Sequence, residues 1–172
     1  MSLWKPPAQS PFAPWEYRLH EILPLYGHRN WIVVADSAYP EQSRPGIETV
    51  VSTLGQIETV QKVLGAIAAA KHIRANIYLD RELAFVAEPD APGISKYRAQ
   101  LAGLPGITNA KSLPHDEIIT RLDQAAQLFK VYIVKTALTL PYTSVFFELD
   151  CGYWSAEAEE RLRHAMHAAS RE

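Results

Sequence analysis

Cysteine is nearly absent from this chain: Cys151 is the one thiol among 172 residues. A lone cysteine excludes an internal disulfide framework and a cysteine-based metal cluster. A dominant charge of one sign is missing as well. Seventeen Lys and Arg stand against nineteen Asp and Glu, a formal net charge of −2. With no basic cluster, the electrostatic footprint of a nucleic-acid binder is lacking. No apolar run is long enough to cross a bilayer, and Met1-Ser2-Leu3-Trp4-Lys5-Pro6-Pro7 lacks the charged-then-apolar order of a secretory signal. These absences lead us to expect the cytoplasm, with neither nucleic acid nor membrane as partner. Gly46, Gly55 and Gly65 form no phosphate-cradling pattern, and no Gly-x-Ser-x-Gly turn surrounds Ser144. No internal repeat or low-complexity tract is visible.

What is there suits one domain with a substantial core: 48% of residues are hydrophobic and 21% charged. Four prolines (Pro6, Pro7, Pro11, Pro14) mark residues 1–14 as an extended arm, with Trp4, Phe12 and Trp15 as packing anchors. Pro14 can open a helix over Trp15 to Leu23, which Pro24 and Gly27 stop. Short β-rich runs are expected as strands at Trp31–Ala35, Thr49–Thr53, Ile73–Leu79, Leu83–Ala87, Val131–Thr136 and Val145–Leu149. Helical spacing covers about Ile57–Lys71, Ile94–Leu101 and Pro114–Phe129. Ser155 can cap a final helix whose apolar stripe, Ala158, Leu162, Ala165, Met166 and Ala169, is thin and calls for a host surface such as a neighbouring subunit. The expected organisation is an arm (1–14), one α/β domain (15–154) and a C-terminal helix (155–172). Alternating strands and helices predict a three-layer α/β sandwich with a largely parallel central sheet.

The segment Tyr26 to Pro40 carries most of the functional signal. Gly27-His28 feeds the continuously apolar run Trp31 to Ala35, the pattern of a strand buried on both faces. The run ends on Asp36 and a Tyr39-Pro40 loop. In open α/β sheets ligands gather where such strands end. An imidazole and a carboxylate in one short unit read as a proton-transfer site.

The order of these motifs resembles the ribose pyranase/fucose mutarotase family. Gly27-His28, the apolar strand and Asp36 with Tyr39-Pro40 are similar to the family's opening. Lys96-Tyr97-Arg98 with Leu101 resembles the fucose branch, which is slightly favoured, and His115-Asp116-Glu117 a helix start of the ribose branch. Val131 to Thr136 followed by Tyr142-Thr143-Ser144 resembles the last strand pair and its Tyr-x-Asn motif. The likeness spans roughly Leu19 to Gly152. It implies a cofactor-free enzyme that interconverts anomers or ring forms of a free monosaccharide. It also implies a ring-like homo-oligomer, a decamer among the options, with sites at subunit interfaces. Carried over, His28, Asp36 and Tyr142 are the catalytic residues, and Tyr39, Arg98, His115 and Ser144 bind substrate. The sequence departs from the family at Ser144 (usually asparagine), Asn30 (usually aspartate), Ile119 (lysine in the ribose branch) and Ala38 (histidine in the fucose branch).

The chemistry suits these residues. Opening a cyclic hemiacetal needs one proton removed from the anomeric hydroxyl and one delivered to the ring oxygen. No electrons move, so neither metal nor redox cofactor is expected. Histidine titrates near neutrality, and tyrosines offer a ring face and a hydroxyl. His115, in a first helical turn, feels a dipole that favours the neutral, proton-accepting form. Two other functions compete. One is an oligomeric carbohydrate-binding or regulatory protein without catalysis; the other is metal-assisted hydrolysis through His28, Asp36 and His115. Blander roles also exist: His28 as a turn residue, Asp36 as a turn former, Tyr142 as loop packing, Lys96 and Arg98 as solvent-facing charges.

Overall fold

The computed structural model describes residues 13–170. Its first element, α1 (Pro14–Ile22), begins on a proline, where a missing N–H leaves nothing unsatisfied. A 3-10 turn over Leu23–Leu25 ends it. Trp4 and Phe12 lie outside the described residues, but Trp15 is buried as expected. Six strands follow in one sheet: β1 (Trp31–Ala35), β2 (Ile47–Val51), β3 (Ile73–Asp80), β4 (Lys111–Leu113), β5 (Val131–Lys135) and β6 (Val145–Cys151). Between and after them lie α2 (Gln56–Ala69), α3 (Ile94–Ala102), α4 (His115–Ala125) and α5 (Ala156–Ala169).

The strand order is β2-β5-β1-β6-β3-β4. β1, β2 and β5 run parallel, as do β3 and β4, and β6 is antiparallel to both of its neighbours. Five strands therefore point one way and one is reversed, so the sheet is largely parallel. All five residues of β1 are buried, the signature of a central strand covered on both faces. Its alternate residues enter two cores. Ile32 and Val34 join Leu19, Val60, Val63, Ile94 and Leu101, from α1, α2 and α3, on one face. Trp31, Val33 and Ala35 join Ile118, Leu122 and Ala126, on and just after α4, on the other. The result is the expected three-layer sandwich, helices on both sides of one sheet.

Two expectations need correction. Leu83–Ala87 is not a strand; Arg81–Phe85 form a 3-10 turn. β3 already has β6 on one side and β4 on the other, so the alternation of buried Leu83 and exposed Phe85 finds no ladder to join. The second strand lies two residues earlier than expected. Ser52 leaves it to accept the N–H of Leu54 and to share a hydroxyl bond with Thr59, closing the entry to α2. The short β4 escaped the sequence pattern because three residues carry too little periodicity. α5 is capped by Ser155, whose side chain accepts from the N–H of Ala158, and buries no residue. No helix among the described residues is long and apolar enough to cross a membrane.

Candidate functional site at the strand ends

Where β1, β3 and β4 end and β6 begins, the chain assembles carboxylates, an imidazole and a phenol. Asp36 follows β1 directly. Its Oδ1 accepts the N–H of Ala38 at 3.0 Å, and its Oδ2 accepts the hydroxyl of Ser144 at 3.1 Å. The Asp36 N–H donates back to Ser144 Oγ at 3.4 Å. Ser144 itself is buried, so its hydroxyl sits behind Asp36 and holds it. In this structure the Ser144 hydroxyl, expected at a ligand, supports Asp36.

His115 opens α4, and its backbone N–H donates to both carboxylate oxygens of Glu82 at 3.1 Å. Its Nδ1 lies 3.0 Å from Asp80 Oδ1, at the end of β3. The angles fall short of a formed hydrogen bond, leaving His115 Nδ1 and both Asp80 oxygens buried without one. Burial raises the Asp80 carboxyl to about 6, against the pull of the His115 ring, with Glu82 and Asp36 adding to the rise. The His115 ring meets Tyr142 edge-on, centroids 5.8 Å apart.

Tyr142 is exposed and holds a left-handed backbone, φ 57°, a conformation that costs a non-glycine residue about a kcal/mol or more. The neighbouring residue pins it there. The carbonyl of Thr143 accepts from Tyr97 Oη at 2.6 Å and from Gln56 Nε2 at 2.8 Å, while the Thr143 hydroxyl donates to Leu140 at 2.7 Å. A groove of about 360 Å³ lined by Glu82, Phe85, Pro114 and Tyr142 opens beside the cluster.

His28 is elsewhere. It precedes β1 whereas Asp36 follows it, so the strand holds the two roughly 20 Å apart. The expectation that they form one proton-transfer unit fails within a single chain. The exposed His28 ring instead bonds through Nδ1 to Asp150 at 2.8 Å, and Asp150 also accepts from Arg74 at 2.9 Å. Partial burial works against ionisation of Asp150, yet hydrogen bonds from Arg74, the Cys151 N–H and His28 hold its carboxyl below the ordinary range. These residues line an opening of about 570 Å³ with Tyr153, Trp154 and Glu159. Asn30 is used by the turn: its Oδ1 accepts from Gly27 and its Nδ2 donates to the Lys130 carbonyl. The charge beside His28 therefore comes from Asp150.

Two further candidate residues have partners within the fold. Tyr39 is buried, tilts against Phe146 and bonds Gln42, and burial raises its phenol. It is a core residue. Arg98 donates to the carbonyls of Leu83 and Val86 and to Ser95, so its guanidinium fastens the 3-10 turn. Asp80, Glu82 and Asp150 were missed. Asp80 was legible in principle, because it ends a strand as Asp36 does. Among the described residues no group of three or more His, Cys, Asp or Glu could share a metal ion. The trio required for the metal-assisted reading is split between the two ends of the strands.

Comparison with known proteins gives a family for this architecture. A sequence profile of the RbsD / FucU transport protein family matches residues 16–152, the family that the order of motifs suggested. No curated protein sequence matches. Among solved structures, Bacillus subtilis RbsD complexed with D-ribose has a TM-score of 0.52 and 18% identity over 77% of this chain and 91% of that one. FucU from Bifidobacterium longum has a TM-score of 0.53 and 17% identity over 78% and 92%. At such identities the likeness is one of fold.

Proposed function

This chain belongs to the RbsD / FucU family, and on that premise we propose that it is a monosaccharide mutarotase or pyranase working by acid/base opening of the hemiacetal without a cofactor. The observation that carries this reading is the convergence of Asp36, His115 and Tyr142, from three distant segments, at the strand ends where open α/β sheets receive ligands. Relatives point the same way: a B. subtilis family member was solved with D-ribose.

The mechanism needs two proton-handling groups on opposite sides of one sugar. His115 removes the anomeric proton as the bond between the anomeric carbon and the ring oxygen breaks. A protonated His28 gives its proton to that oxygen. Reclosure after rotation returns both protons, so nothing is consumed. Asp36, fixed by Ser144 and the Ala38 N–H, holds a sugar hydroxyl, and Tyr142 offers its ring and phenol. One protomer keeps His28 and Asp36 at opposite ends of β1, so a complete site takes His28 from a neighbouring protomer. A ring-like homo-oligomer, a decamer among the options, supplies that arrangement. The exposed Trp154, Leu162 and Met166 around α5 are surface that assembly would cover.

NMR saturation transfer across a panel of pentoses and hexoses tests the proposal. Faster exchange of at least one free sugar is expected; a panel with no acceleration by pure wild-type protein overturns it. The burial of Ser144 favours a second reading, a carbohydrate-binding protein without catalysis, since its hydroxyl cannot take the place of an asparagine amide at the ligand. Calorimetric sugar binding without exchange acceleration would select that reading.

A further inference from the structure

Asp80 is the least explained polar side chain in the described part of the molecule. It is 2% exposed, and neither carboxylate oxygen makes a hydrogen bond. Burying a carboxylate in this way costs stability, and the sheet gives no return for it: the β3–β4 and β3–β6 ladders around Asp80 use backbone groups alone. The group that faces it is His115 Nδ1, at 3.0 Å and likewise without a formed hydrogen bond. The Asp80 side chain is 1% exposed and that of His115 34%, so the exposed part of the ring is the part turned away from Asp80. Glu82 fixes the His115 backbone, and Tyr142 meets the ring.

We infer that Asp80 is a positioning residue: it accepts the proton on His115 Nδ1 in a hydrogen bond and thereby leaves Nε2, on the exposed side of the ring, with its lone pair free for a ligand. The two ring nitrogens of a neutral imidazole cannot both be bare, and a carboxylate beside one of them selects which carries the proton. The 3.0 Å separation is already a hydrogen-bonding distance, and a small rotation of the ring completes the angle. The consequence for sugar chemistry rests on the function proposed above. With Nε2 bare, His115 takes the anomeric proton; with the proton on Nε2, it would repel it. A carboxylate behind the ring also stabilises the imidazolium formed when Nε2 is protonated. Asp36 and Glu82 are the other charged groups whose fields reach Asp80. Asp36 is occupied by Ser144 and Ala38, and Glu82 by the His115 N–H.

Nitrogen-15 NMR of histidine-labelled protein reads the tautomer directly and needs no sugar. In wild type above pH 7 the His115 ring is expected to carry its proton on Nδ1. Asp80→Leu, which exchanges a desolvated carboxylate for an apolar group of similar size, is expected to move that proton to Nε2. Asp80→Asn keeps an acceptor oxygen and should restore the Nδ1–H form. With whichever sugar the wild type accelerates, exchange should fall about a hundredfold in Asp80→Leu and less in Asp80→Asn, in the range lost when an outer partner of a histidine is removed. A His115 ring that holds the same tautomer in wild type and in Asp80→Leu overturns the inference, as does a wild-type ring already protonated on Nε2. Should no sugar respond to wild type while the tautomer switches as stated, the positioning role stands and the assigned reaction fails.

Discussion

The two ends of the sheet's strands each hold a histidine against an aspartate, under opposite physical conditions. At one end Asp150 lies near the surface, with three bonding partners in Arg74, His28 and the Cys151 N–H, and its carboxyl is held below the ordinary range. At the other, Asp80 is sealed against His115 with no formed hydrogen bond, and its carboxyl rises to about 6. Solvation and partner count, rather than residue identity, separate them. The Asp150 arrangement steadies a solvent-facing imidazole. The Asp80 arrangement keeps a carboxyl of raised proton affinity beside an imidazole, at a cost to stability.

Removing the solvent-facing imidazole should have the largest effect. His28→Ala should cost between about a hundred- and ten-thousand-fold in sugar exchange, measured by saturation transfer on protein whose circular dichroism is unchanged. Full activity in that variant would confine the chemistry to the Asp80 end. The next effect lies in the pH dependence of stability. The folded Asp80 carboxyl, at about 6 against an ordinary 3.8, binds its proton more tightly than the unfolded chain does. Its contribution is complete below pH 4 and lost as pH rises through 6. The shift of about two units corresponds to roughly 3 kcal/mol. The difference in unfolding free energy between wild type and Asp80→Asn should therefore change by about that amount between pH 4 and 7, in favour of wild type at the acid end. A pH-independent difference would show that Asp80 ionises normally.

A backbone change near the His28 end tests how rigid that end is. A Cβ on Gly152 would lie 2.8 Å from the backbone atoms of Ile73 and Lys71. These are main-chain atoms of the adjoining strand's first residue and of the turn just before it, and they cannot swing aside. Gly152→Ala should lower stability by about 1–3 kcal/mol in denaturant titration, and an unchanged midpoint would mean that the β3–β6 junction yields. The smallest effect is expected at Arg74. Its bond to Asp150 is half exposed, so Arg74→Ala should alter stability by less than about 1 kcal/mol, with a reduced salt dependence of sugar exchange as its main signature. A larger destabilisation would place the His28 end in the same buried regime as Asp80.

The legibility of this fold follows from where its signals are local. The continuous apolar run Trp31–Ala35 announced a doubly covered strand, and the spacing of Val60, Val63 and Ile67 announced the helix packed on it. Ser155 was readable as a cap because capping depends on a neighbour three residues away. Roles that depend on distant partners were not readable. Tyr39 looked like a sugar platform, yet Phe146 and Gln42 claim it. Arg98 looked like a ligand grip until the carbonyls of Leu83 and Val86 closed around it.

By itself the chain determined the family, the alternation of strands with helices, and the carboxylate that ends β1. These depend on periodicity and on contacts a few residues long. Only the folded sheet decided at which end of the strands each reactive group lies. A strand carries successive residues in one direction, so His28 and Asp36, eight positions apart, are driven to opposite ends, whereas Asp80 and His115, thirty-five positions apart, are brought to 3.0 Å. Proximity across a sheet is set by the order and direction of its strands, which no local pattern of side chains encodes.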